Sequence, residues 1–205
     1  MRGGLTSRDI APHMRRAGAS EPSPMILGIL KKLFWLDRGR YLIYQLPPGG
    51  GAPEAPAPDV RAFERYEDIP PALRDRLVAR RYLNVLYYRM KRRQARVLCL
   101  CDGDDPIAYG WIQSWAPFRR RFGSLFADAV MLGPYWTAPA RRRQGLYARL
   151  LAHSLSLLDK RLPIVIYTSV ENVASQKGIE KAGFQLVGRY EISVFMRLLV
   201  RCRPI

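Results

Sequence analysis

Two rhythms of apolar positions divide the chain. "ARVLCLC" (Ala95–Cys101) and "IAYGWIQSW" (Ile107–Trp115) are strand-like runs on either side of the turn "DGDDP" and predict a hairpin. "LFADAVMLGPYWT" (Leu125–Thr137) predicts a further strand, and "PIVIYTSV" (Pro163–Val170) has the near-continuous apolar character of a strand buried on both faces. Between them, from Gln144 to about Lys160, the period changes to that of a helix, with Leu146, Leu150, Leu151, Leu155 and Leu158 on one stripe. His153 falls off that stripe and is expected to be exposed. "ENVASQKGIEKAGF" (Glu171–Phe184) predicts a helix capped by Asn172 and ended by Gly183. Upstream, Glu67–Gln94 reads as helical with a basic end, Arg40–Leu46 as a short strand, and "APFRRRFGS" (Ala116–Ser124) as a basic loop. Gln185–Cys202 supplies one or two terminal strands. Alternating strands and helices predict an α/β or α+β domain with a mixed sheet.

Composition sets the boundaries. Residues 1–24 are Arg- and Gly-rich without periodicity and are expected to form a disordered leader. Residues 25–46 combine an amphipathic helix with the short strand, and 47–59, "PPGGGAPEAPAPD", form a Pro/Gly-rich linker or long loop. The main domain is expected over 60–205. For Met25–Leu36 two readings stand: a helix docked on the core, or one lying on an anionic membrane with its lysines toward the headgroups. No secretory signal is evident, and no apolar stretch reaches the ~18 residues of a membrane span. The expected location is cytoplasmic, either free or peripheral on the inner membrane face.

Charge changes the picture more than hydropathy does. Among 205 residues, Lys+Arg 34 against Asp+Glu 17 gives a net charge of +17. Such a surface favours nucleic acid, an anionic membrane or phosphate-rich ligands. "MKRRQAR" and "FRRRF" support a non-enzymatic basic nucleic-acid-binding module, but no recognisable nucleic-acid motif accompanies them, which argues against it. Cys99, Cys101 and Cys202 form no zinc pattern with the two histidines, so no metal is expected and the cysteines read as free thiols.

The stretch "TAPARRRQGLYARLL" (Thr137–Leu151) carries the chemistry. Three arginines precede a helix, where cations oppose the helix dipole. Free N–H groups at such a helix start can cradle phosphate oxygens. Gly145 allows close approach, and Arg141, Arg142 and Arg143 add charge-assisted bonds. The spacing is neither a Walker loop nor a dinucleotide fingerprint.

At these residues the chain resembles the GCN5-related N-acetyltransferase (GNAT) superfamily, whose signature is [Q/R]-x-x-G-x-[G/A] after a proline ending the fourth strand. Here Pro139 leads to Arg142-Arg143-Gln144-Gly145-Leu146-Tyr147, with Tyr147 where a small residue is usual. Asn172, Ser175, Gly183 and Phe184 match the segment that follows the family's fifth strand. The resemblance covers roughly Val60 to Cys202.

It implies a V-shaped opening between the fourth and fifth strands that takes acetyl-CoA or another acyl-CoA. Tyr135, Trp136 and Thr137 would pair with the pantetheine arm. Amides of Arg142, Arg143, Gln144, Gly145, Leu146 and Tyr147 would hold the pyrophosphate, with Asn172 and Ser175 on the pantetheine. The usual acid and base positions hold Ile179 and Tyr167, so Tyr147, Tyr167 and Glu171 are the local catalytic candidates. The implied reaction is N-acetylation of a primary amine on a small molecule, an amino sugar or other cell-surface precursor. A protein or peptide N-acetyltransferase is the alternative.

Overall fold

The computed structural model describes residues 37–50, 57–78, 83–122, 125–159, 161–195 and 199–205. The Met25–Leu36 reading lies outside them, as does the 1–24 leader. One sheet organises the rest. Its strands are β1 (Asp37–Leu46), β2 (Arg61–Phe63), β3 (Ala95–Asp102), β4 (Asp105–Ser114), β5 (Val130–Leu132), β6 (Trp136–Thr137), β7 (Ile164–Ser169), β8 (Gln185–Phe195) and β9 (Leu199–Pro204). The order is β2-β3-β4-β5-β7-β1-β8-β9, with β6 also pairing β4. The β5–β7 pair is parallel and the remaining pairs are antiparallel.

Helices cover both faces. On one, α1 (Pro71–Val78) and α2 (Leu83–Lys91) bury Leu73, Leu77, Tyr87 and Met90 against Val97, Cys99, Tyr109 and Trp111. Farther along that face, Trp115, Phe118 and Phe122 cover Met131, Val165, Ile43 and Ile192. Phe122 ends α3 (Arg119–Phe122), so the segment read as a basic loop contains a helical turn anchored by stacked aromatics. The opposite face carries α4 (Leu146–Ser156) and α5 (Val173–Lys181). Leu146, Leu150, Leu151 and Leu155 of α4 are buried there with Ile179 of α5, over Leu98, Ala108, Ile112, Leu132 and Ile166.

Two expectations are corrected. The segment ending at Leu46 is not peripheral to a domain starting at residue 60: β1 lies inside the sheet, between β7 and β8. Its alternate residues enter both cores, Leu42 and Tyr44 on the α4 face and Ile43 on the other. That two-sided burial is the mark of an interior strand. His153 is not exposed but 7% accessible, and its Nδ1 is buried with no hydrogen-bond partner among the described residues. Burial pushes its pKa below the ordinary histidine value, with Asp59 pulling weakly the other way.

The sign follows from linkage. A histidine whose folded pKa is depressed gives stability that is complete above its unfolded pKa of about 6.5 and is lost as pH falls below it. Urea unfolding should show stability declining from about pH 7 to pH 5, and His153→Gln should flatten that slope. An unchanged slope would contradict the neutral, buried imidazole.

Candidate active site

The site begins with a miscount between two strands. Ile112 pairs with Leu132, and Tyr109 pairs with Trp136. Two residues of β4, Gly110 and Trp111, thus face three on the partner, Gly133 to Tyr135. One extra residue in one strand is a β-bulge, which bends that strand out of the ladder. The expected single strand Leu125–Thr137 is therefore broken into β5 and β6.

The bulge is pinned from both sides. Gly133 has φ 110°, a left-handed value suited to glycine, and its N–H donates to the Trp111 carbonyl at 2.7 Å. Its carbonyl accepts from Nε2 of Gln113, a side chain only 3% exposed. Oε1 of Gln113 in turn accepts from Nη1 of Arg89 at 2.5 Å. The buried amide is satisfied at both ends, which makes the arrangement costly to rearrange.

The consequence is a slot. The parallel ladder of β5 and β7 stops at the pair Leu132–Ile166. Beyond it the two strands part: Tyr167, Thr168 and Ser169 stay laddered to β1, while Trp136 and Thr137 are laddered to β4. Two backbone edges therefore face an opening, as the family resemblance implies for Tyr135, Trp136 and Thr137. Trp136 stacks on Tyr109 at 5.4 Å on the α1/α2 face. Tyr135 packs toward α4, where its hydroxyl donates to Ser154 Oγ at 2.8 Å.

At the same end of the sheet, the chain turns through Pro139–Arg141 into α4. Residues 141–145 are exposed, Arg143 has φ 65° and Gly145 φ 75°. No hydrogen bond among the described residues uses the N–H of Arg143, Gln144 or Gly145, and the cap has no side-chain acceptor. The first-turn N–H groups of α4, at Leu146 and Tyr147, lack intrahelical acceptors by construction. A Cβ placed on Gly145 would meet nothing within 4 Å, so the protein leaves this space open. The arginines divide: Arg141 is paired with Asp102 at 2.5 Å, and Arg149 with Asp59 at 2.5 Å. Arg142 and Arg143 have no partner among the described residues. The turn therefore presents donors and positive charge and is built to receive an anion. Leu146 contributes backbone only, since its side chain is core.

Asn172 caps α5. Its Oδ1 accepts from the Ser175 N–H at 3.1 Å, and this bond leaves the amide NH2 of Asn172 to donate elsewhere. Next to it, Gln176 Nε2 closes the end of β7 by donating to the Val170 carbonyl at 2.8 Å and to that of Ser169 at 3.3 Å.

The three catalytic candidates do not converge. Tyr147 lies on the α4 face, edge-on to Tyr135 at 5.3 Å, with burial raising its pKa. It stays protonated at neutral pH. Tyr167 lies on the opposite face, edge-on to Tyr41 at 5.6 Å and to Phe122 at 5.0 Å. Glu171 is exposed and accepts from Ser169 Oγ, with Arg40 at 3.6 Å. The Ser169 bond, then its own backbone N–H and Arg40, hold its carboxyl below the usual range.

Sequence reasoning missed what makes Tyr147 fit. Its ring lies against Gly178 of α5, where a Cβ would come within 2.7 Å of the ring edge. Tyr135 similarly fills the space above Gly110. The large residue in the signature is matched by an absent side chain one helix away.

No protein-family model and no curated protein sequence matches the chain. Solved structures do. A GNAT-family acetyltransferase from Colwellia psychrerythraea aligns with TM-score 0.50 at 20% identity, over 78% of this chain and 56% of that one. A putative GNAT-family acetyltransferase from Novosphingobium aromaticivorans aligns with TM-score 0.56 at 14% identity, over 75% and 62%. A GCN5-related N-acetyltransferase from Sphaerobacter thermophilus gives 0.53 at 11%, over 83% and 56%. The chain has the GNAT fold. It spans little more than half the length of these structures. In this GNAT fold the strand before the signature is β5 with β6, and the strand after it is β7.

The Tyr147–Gly178 contact has a measurable sign. Gly→Ala in a helix interior ordinarily stabilises by about 1 kcal/mol. Gly178→Ala alone should instead be neutral or destabilising in urea unfolding, because it drives a methyl into the ring. In a Tyr147→Ala background the same change should stabilise by about 1 kcal/mol. Equal effects in both backgrounds would contradict the contact.

Proposed function

We propose that this chain is an acyl-CoA-dependent N-acyltransferase that moves an acetyl or other acyl group onto a primary amine of a small molecule. The observation that carries this reading is the meeting, at one end of the sheet, of two parted strands, each laddered to its outer neighbour, and a turn in which the N–H groups of Arg143, Gln144 and Gly145 have no partner among the described residues. Acyl-CoA has both matching parts: amides along the pantetheine arm for the strand edges, and a pyrophosphate for the turn. The residues fit it. Trp136 and Thr137 offer backbone to the arm, Asn172 a side-chain amide, and Arg143 to Tyr147 N–H donors for the pyrophosphate, with the side chains of Arg142 and Arg143 adding charge; the N–H of Arg142 is taken by the Pro139 carbonyl at 3.4 Å.

Transfer is an attack of the neutral amine on the thioester carbonyl. The C–N bond forms, the C–S bond breaks, the ammonium proton leaves to solvent or a carboxylate, and the thiolate takes a proton to give free CoA. The oxyanion that develops needs N–H donors, which backbone amides along the slot would supply. Much of the rate would come from holding amine and thioester together in the slot. Glu171 is poorly matched to strong general-base work because its pKa is depressed. Tyr147 is a phenol donor beside the slot rather than a strong acid.

The acceptor reading rests on charge. A net +17 suits a substrate that carries phosphate or sits at an anionic surface, such as an amino sugar in a cell-surface precursor. The amphipathic Met25–Leu36 segment joins the fold at Asp37. Tyr41 of β1 lies opposite Ser169, so the residues before it run past the slot end of β7. Attachment of that segment to an anionic cytoplasmic leaflet would hold the slot near such an acceptor.

Calorimetric titration of the full chain should show acetyl-CoA binding in the micromolar range. Gly145→Glu puts a carboxylate into the open cradle and should weaken binding by about tenfold or more. Asn172→Ala should weaken it less. Failure of any acyl-CoA to bind would overturn the proposal.

A further inference from the structure

A second cavity adjoins the slot. It has a volume of about 580 Å³ and is lined by Gly39, Arg40, Tyr41, Ser169, Glu171 and Glu191. Three of these six come from β1, the strand inserted between β7 and β8. Ser169 belongs both to this lining and to the stretch of β7 beyond the end of the β5–β7 ladder, so the two spaces meet at that residue. A ligand in the cavity would lie at the end of β7, at the mouth of the slot.

The charges around the cavity are arranged as a separable pair. Glu191 is tied to Arg203 at 2.7 Å and has its side chain 20% exposed, so it is already neutralised. Arg40 and Glu171 are different. They approach only to 3.6 Å, and their side chains are 63% and 67% exposed. An exposed, long ion pair of this kind contributes little and opens at little cost. Glu171 is nevertheless firmly ionised, by the Ser169 hydroxyl first and by Arg40 in smaller part. A loose cation and a fixed anion facing one cavity can each exchange the other for a ligand group of opposite charge.

We infer that this cavity binds the acceptor, and that the acceptor is zwitterionic: a primary amine whose molecule also carries a carboxylate or phosphate. The ammonium is taken by Glu171 with Ser169 beside it, at the slot. The anionic group is taken by Arg40, whose planar guanidinium matches carboxylate and phosphate oxygens. Tyr41 adds an aromatic ring to the lining, folded back over Gly39. This assignment rests on the acyltransferase reading and adds the substrate class and the residues that select it. It also reconciles the basic surface with an amine substrate. The overall charge attracts the anionic part of the acceptor, and the local carboxylate orients the cationic part.

The test compares two probes that differ only in the anion: ε-aminocaproate and hexylamine. Their equilibrium binding to the full chain is measured by calorimetry, with and without acetyl-CoA, and their use as acceptors by release of free thiol. Arg40→Met and Glu171→Gln are the variants, both at exposed positions that leave the fold intact. Expected is tighter binding and a lower KM for ε-aminocaproate than for hexylamine. Arg40→Met should remove that preference, weakening ε-aminocaproate by about tenfold or more while leaving hexylamine unchanged. Glu171→Gln should weaken both amines. Neither variant should alter acetyl-CoA affinity. Equal binding of the two probes, or a preference that survives Arg40→Met, overturns the inference even where acetyl-CoA binds normally. Failure of acetyl-CoA to bind would overturn the acyltransferase reading instead, and the equilibrium binding of the amines would still decide the cavity.

Discussion

The buried amide of Gln113 is the constraint on which the rest depends. It bonds the carbonyl of Gly133 and accepts from Arg89, so the extra residue in the β5–β6 strand is locked where it stands. Without that bulge β6 would continue beside β7, and the sheet would close. With it, the ladder ends at Leu132–Ile166 and two strand edges are left open. A buried polar group that is satisfied at both ends holds one arrangement against alternatives, because any slip would leave it unpaired. The opening is thus a property of the sheet itself.

The space around the opening is filled in a correlated way. Tyr135 follows the bulge, lies over Gly110 and bonds Ser154 of α4. Tyr147 packs edge-on against it and lies over Gly178 of α5. Two large rings on one side are matched by two missing side chains on the other. Together they tie the two helices, whose N-terminal ends border the slot, to the strand that forms its wall. The turn before α4 stays free of such packing, with exposed residues and with N–H groups and two arginines that have no partner among the described residues. Rigid walls beside an unsatisfied turn are the division expected of a site that must be shaped in advance and completed by its ligand.

Much of this was legible along the chain, for physical reasons. The 3.6-residue stripe of Leu146, Leu150, Leu151 and Leu155 announces α4 and its buried face. The near-continuous apolar run at Ile164–Ser169 announces an interior strand, and Asn172 announces a cap. Three cations before a helix, against its dipole, point to an anion from outside. What stayed hidden depends on contacts between distant segments. Nothing local marks β1 as an interior strand, because a Pro/Gly-rich segment separates it from the main body. His153 sits off the leucine stripe and is still buried, because the stripe records only one of the surfaces that cover α4. The role of Gly178 is invisible without knowing that Tyr147 lies above it. The bulge itself is a mismatch in pairing, and pairing is not written in either strand alone.

The central claim is that the parted strands β6 and β7 and the turn before α4 form one acyl-CoA site. Amide hydrogen exchange of the full chain with and without saturating acetyl-CoA tests it most directly. The account predicts slowed exchange confined to three segments: Trp136–Thr137, Tyr167–Ser169 and Arg143–Tyr147. Binding that leaves these amides unchanged, or protects amides elsewhere instead, would contradict it.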